Sequence, residues 1–213
     1  MDSKLQRDAE RSRSMILESA ATLFAEHGFN GVSVGQIAER AGVARGTPNY
    51  FFTSKEKLFQ ATLEHECTSA HLVVPEAIAS AGQDAQPEKL LHTLVDVYLD
   101  YLNVNPRFLR LIQWTSLQRP ELMDEVESHW QTVLSAVEAV SLVSSASSTK
   151  REIKQLTLSV LGMCTFHFFF GSVIAKPLAL NTTNTRFLAE RKRHLKWLLS
   201  AALRDLGANK EDL

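Results

Sequence analysis

Residues Ser33 to Phe51 read SVGQIAERAGVARGTPNYF, and the order of small, polar and apolar positions in this run decides the fold. Two short helices that cross closely need a small residue in the first and a flexible one in the turn between them. Ala38 and Gly42 meet those needs, and Ile37, Val43 and Phe51 are placed to close an apolar seam beneath the crossing. Ser33 opens the first helix of the pair: its hydroxyl can cap a free N–H while Gln36 reaches back, the spacing of a capping box. A helix-turn-helix lays the first turn of its second helix against base edges in the major groove of DNA. Here that turn is Arg45-Gly46-Thr47-Pro48-Asn49-Tyr50. Arg45 has the fork to read a guanine and Asn49 the amide to read an adenine. Thr47, Tyr50 and Lys55 suit phosphate oxygens, Lys55 aided by the N-terminus of the following helix, and Ser33, Gly46 and Pro48 complete the candidate DNA-binding residues.

Working outward, almost every segment has a 3.6-residue period, and no run alternates with period two for long. A first helix is expected over Arg13–His27, with Ile16, Leu17, Ala20, Leu23 and Phe24 on one face and Gly28 as its left-handed stop. The third helix is expected over about Arg45–Phe51. Thr53 to Glu56 reads as a second capping box, opening a fourth helix that runs toward Pro75. Further helices follow Pro87, Asn105-Pro106 and Pro120. Two more cover about residues 151–175, beyond a Ser-rich loop at Ser144–Thr149, and 185–206. The expected fold class is all-α: a three-helix helix-turn-helix head plus a larger helical bundle.

The run from Arg13 to Phe59 resembles the DNA-binding head of the TetR family of repressors. The matching pieces are Ile16 to Phe29 (IL-x-x-A-x-x-LF-x-x-x-GF), Ser33 to Val43, Gly46-Thr47, Tyr50-Phe51 and Ser54-Lys55-Glu56. The resemblance implies a DNA-binding domain over residues 1–57 and a ligand-binding and dimerisation domain over 58–213. It further implies a homodimer on an inverted-repeat operator, released by a small effector. Repression rather than activation follows from the resemblance alone. Two departures stand out: Ala44 and Pro48 replace the Ser or Thr and the Leu common in the family. Were Ala44 the N-cap, Pro48 would stand where the first backbone N–H should pair back to it, and proline has none. The third helix is therefore expected to begin near Arg45 or Gly46, or with a 3₁₀ turn. Pro48 then lies in its first turn, either as a structural restraint or with its ring available to a thymine methyl or sugar.

Charge adds little. Residues 1–57 carry 8 Lys/Arg against 7 Asp/Glu, and the chain as a whole has a net charge of −1, so any electrostatic footprint must be local. Cys67 and Cys164 form no metal or disulfide pattern, no catalytic motif is present, and no cofactor is implied. The charged N-terminus lacks the apolar core of a secretory signal. Leu156–Ala175 is about long enough to span a bilayer but carries Thr157, Ser159, His167 and Ser172, which favours a helix buried on every side. The expected location is cytoplasmic and nucleoid-associated, with no membrane partner. A rival reading is a small-molecule carrier or enzyme built on a helical bundle.

Tyr98, Phe108, Trp114, Trp130, Met163, Phe166, His167 and Phe170 are the candidates for lining a pocket suited to a mostly apolar effector. For the dimer face they are Gly162, Phe169, Leu195, Trp197, Leu198 and Ala201. The last helix carries one apolar stripe with Trp197 and Ala201 off it, and the 151–175 helix is apolar all round. One core cannot cover both, so a partner subunit is expected.

Overall fold

A computed structural model describes residues 2–82, 85–124, 126–127, 130–131, 134–135 and 149–208. Among them are helices and turns and no strand. The helices are α1 (Asp2–His27), α2 (Val34–Ala41), α3 (Thr47–Phe52), α4 (Lys55–Ala70), α5 (Val73–Ala81), α6 (Pro87–Val104) and α7 (Pro106–Gln118). A 3₁₀ turn (Pro120–Leu122), α8 (Lys150–Ile174) and α9 (Thr185–Ala208) follow. The all-α expectation holds. The serines of the 144–148 loop lie outside the described residues.

Packing divides the chain into two compact units: Met1–Ala70 with Asn105–His129, and His71–Val104 with Trp130–Leu213. This cut differs from a division at residue 57, because α4 and α7 both pack with the head.

The first unit is built on aromatic rings. Phe24 and Phe59 are fully buried and meet edge to face at 4.9 Å, and Phe29 meets Phe59 at 5.3 Å. Gly28 (φ +70°) ends α1 as its sequence position suggests, and Trp114 lies against it: a Cβ there would stand 2.9 Å from the indole. The same indole donates from Nε1 to the Ala25 carbonyl at 3.3 Å. α7 thus lies along α1.

In the second unit α5 packs on α6, and α6 meets both α8 and α9. α5 departs from the expectation of one long helix running toward Pro75. α4 ends at Ala70, and Pro75 sits in the first turn of a new helix, where no N–H is needed. α8 opens with a full capping box, Thr149 with Glu152. It is not buried on every side. Ile153, Thr157, Cys164, His167 and Gly171 are buried, while Leu158, Phe166, Phe170 and Val173 are exposed. α8 is also long and apolar enough to cross a membrane.

Candidate nucleic-acid interface and effector cavity

The helix-turn-helix forms as its small residues require. Ser33 accepts from the Gln36 N–H at 3.2 Å while the Ser33 N–H donates to Gln36 Oε1 at 2.8 Å, completing the capping box. Gly42 turns at φ +66°, and the Val43 N–H donates to the Ala38 carbonyl at 3.0 Å. Ile37 and Ala38 are fully buried at the crossing. Phe51 is only half-buried; the side chain that closes the seam is its neighbour Phe52, 6% exposed with Arg13 over its ring at 5.3 Å.

α3 begins at Thr47, one residue after Gly46, the later of the two expected starts. Its N-cap is Gly46, with Pro48 second in the first turn. Ahead of it, Ala44-Arg45-Gly46-Thr47 is closed by a Thr47 N–H to Ala44 carbonyl bond of 2.9 Å, so one tight turn absorbs the missing proline N–H. Arg45, Gly46, Asn49 and Tyr50 are exposed, and Thr47 is half-buried. Pro48 is buried, so of its two expected roles the structural one holds: its ring packs inward as a restraint on the first turn, and the contact with a base or sugar is corrected. Nor does Thr53 open α4. It ends α3 at φ +61°, and Ser54 caps α4 instead, accepting from the Lys57 N–H at 3.2 Å.

Lys55 does stand at the N-terminus of α4, but its ammonium lies over the Phe29 ring at 4.3 Å. Arg119 lies over the same ring at 4.4 Å. Burial, with the neighbouring Arg119 charge, holds the Lys55 pKa below the usual lysine range. Sequence periodicity carried no sign of Arg119, which arrives from the far end of α7.

The second unit holds a cavity of about 40 Å³. Its walls come from Val73 and Val74 of α5, Leu91, Leu94, Val95 and Tyr98 of α6, Leu156, Val160, Leu161 and Cys164 of α8, and Leu199 of α9. Burial pushes the Cys164 thiol up to about 12, so it stays neutral. It also keeps the Tyr98 phenol protonated, well above its ordinary pKa. Of the eight residues expected to line a pocket, Tyr98 alone lines this one. Phe108 and Trp114 belong to the first unit. Phe166 and Phe170 are about half exposed and meet one another at 5.2 Å on the outer side of α8. Trp130 meets Tyr98 edge to face at 6.5 Å without reaching this wall, and Met163 stands outside it as well. His167 is buried beside Phe187 and Phe168, away from the cavity lining, and burial together with the Arg191 charge lowers its pKa to about 4. The sequence pointed to aromatic residues, whereas the cavity is walled by Val and Leu that any core would share.

Of the expected dimer residues, Gly162 is exposed, with open space where a Cβ would stand, and Trp197 is 60% exposed. Phe169, Leu198 and Ala201 are partly covered. Leu195 is a correction: at 2% exposure it belongs to the core of its own unit.

Known proteins share this head. Residues 16–62 match the family model described as bacterial regulatory proteins, tetR family. The chain is 35% identical over 112 residues to the HTH-type transcriptional repressor NicS of Pseudomonas putida, covering 52% of this chain and 51% of that protein. It is 28% identical over 135 residues to the HTH-type transcriptional repressor SCO4008 of Streptomyces coelicolor, covering 62% and 65%. The match thus spans about half the length of the first relative and under two thirds of the second. Among solved structures, a TetR-like transcriptional regulator from Rhodococcus superposes with a TM-score of 0.68 at 16% identity, over 89% of this chain and 96% of that one. At that identity the likeness speaks for the fold.

Proposed function

We propose that this chain, whose residues 16–62 match the model for bacterial regulatory proteins of the tetR family, is a DNA-binding transcriptional repressor of that family. The observation that carries this reading is the surface of α3 and of the turn before it. Arg45, Asn49 and Tyr50 are exposed there together, on a frame held by Gly42, Pro48 and the buried Phe52. Donors and acceptors for base edges and phosphates therefore stand on a rigid support. The protein works as a homodimer in the cytoplasm, each head meeting one half of an inverted repeat. The exposed Phe166, Phe170, Val173 and Trp197 support a subunit contact along α8 and α9. A small uncharged effector enters by widening this cavity, which at about 40 Å³ is far below the several hundred Å³ of a ligand pocket; its hydrocarbon walls and neutral thiol favour no charge, and preference for the widened conformation releases the DNA.

Selection of DNA from a random pool, followed by titration of the selected duplex at several salt concentrations, tests this. An inverted repeat should emerge, with affinity falling steeply as salt rises. Absence of sequence preference at every salt concentration would overturn the repressor reading and favour a small-molecule carrier.

A further inference from the structure

Within the first unit, one side chain ties α7 to two helices of the head. Arg107, second residue of α7, donates from Nη1 to Glu18 Oε2 on α1 at 2.7 Å and from Nη2 to Glu66 Oε1 on α4 at 3.0 Å. The first nitrogen also reaches Thr22 Oγ1 at 3.5 Å, and His65 Nε2 meets the other Glu18 oxygen at 3.3 Å. Arg107, Glu18, Glu66 and His65, from three helices, therefore form one ionisable cluster around the guanidinium. Glu66 is 5% exposed, and burial raises its pKa while Arg107 pulls it back; the hydrogen bond from Arg107 lowers that of Glu18.

Stability alone is a poor reason for this arrangement, because apolar side chains of similar size commonly replace a buried ion pair without loss. What a planar fork adds is direction: it fixes two carboxylates, and so two helices, at one angle. The rest of α7 continues the contact toward the DNA-reading end. Trp114 bonds the Ala25 carbonyl, and Gln118 Oε1 accepts from the Asn30 N–H at 3.3 Å, three residues before the cap of α2. α4 matters for a second reason. α3 packs on both α4 and α1, so the angle of α4 against α1 decides how α3 is presented.

We propose that Arg107 is a positioning residue for DNA recognition: it sets the angle between α1 and α4, and so the presentation of α3. This rests on the DNA-binding reading above. A lysine in its place keeps a charge beside Glu66 but cannot bridge two carboxylates in a fork. Removing Glu18, which is half exposed, opens the α1 arm and leaves the buried Glu66 paired.

The test uses the full-length dimer and the selected inverted repeat, with spacings between half-sites altered by one or two base pairs, and an isolated half-site as control. Wild-type protein should lose affinity about tenfold when the spacing changes. In Arg107→Lys and Glu18→Ala that penalty should shrink to under about threefold, with half-site affinity held within about twofold and the unfolding midpoint within about 2 °C. Retention of the wild-type spacing penalty in both variants overturns the proposal. So does a parallel fall of half-site affinity and unfolding midpoint, which is the mark of a merely structural pair. Wild-type protein that prefers no DNA sequence would instead mark failure of the repressor reading, before any variant is compared.

Discussion

Tyr50 is 82% exposed on α3 and Trp197 is 60% exposed on α9, and the two rings stand in opposite company. In the same stretch as Tyr50 are Arg45, Thr47 and Asn49, whose polar atoms water can serve until a ligand takes its place. On α8 and α9 the other exposed large side chains include Leu158, Phe166, Phe170 and Val173, which water serves badly. The first surface can stand bare and meet a polar, charged polymer reversibly; the second is where the proposed subunit contact would remove apolar area from water. The contrast fits the proposed pairing of a lasting contact between copies of the chain with a breakable one to DNA.

The contrast can be broken most severely from inside the head. Phe59→Ala should cost about 3–5 kcal/mol in denaturant unfolding, since the ring is fully buried between Phe24 and Phe29. A comparable effect comes from pH in the second unit. His167 is held neutral, its pKa lowered to about 4 from 6.5, so the unfolded chain takes up the proton first. The sign follows: this contribution is complete above pH 6.5 and is lost as pH falls toward 4, by about 3 kcal/mol at most. Unfolding followed across that window should show the slope, and His167→Phe should flatten it.

On the apolar surface, Trp197→Asp should weaken self-association by about 2 kcal/mol or more, some thirtyfold, in sedimentation experiments while leaving the monomer folded. An unchanged dimer would move the contact elsewhere. On the polar surface, Arg45→Ala should relax discrimination at one base pair by about 1–3 kcal/mol, read from competition between single-base operator variants. Ser33→Ala completes the series with about 1 kcal/mol of stability, through loss of the capping box rather than of a DNA contact.

The head could be read from its sequence because its constraints are local. A glycine that must take positive φ, a serine three residues before a glutamine and an alanine at a crossing each depend on neighbours a few positions away. The misjudged detail there, Thr53 replaced by Ser54 as cap, concerns a shift of one position. The second unit was harder to read. Its cavity is formed by side chains from α5, α6, α8 and α9, brought together across more than a hundred residues, and a cavity-wall leucine has the same periodicity as a core one. Leu195 and Trp197 lie two residues apart on α9, yet one is buried and the other exposed, which periodicity narrows but tertiary packing decides. The fork of Arg107 was illegible for the same reason: its partners Glu18 and Glu66 lie 89 and 41 residues away.

At Gly42, φ is +66°, and beyond its chain neighbours no atom lies within 4 Å of the place a Cβ would occupy. Space is therefore free at the turn, and handedness is the whole constraint. An L-alanine there must adopt the left-handed basin at about 1–2 kcal/mol, whereas a D-alanine, introduced by chemical ligation, finds that basin its natural one. A synthetic head carrying the mirror-image residue would keep its fold and lose only the freedom of its unfolded chain.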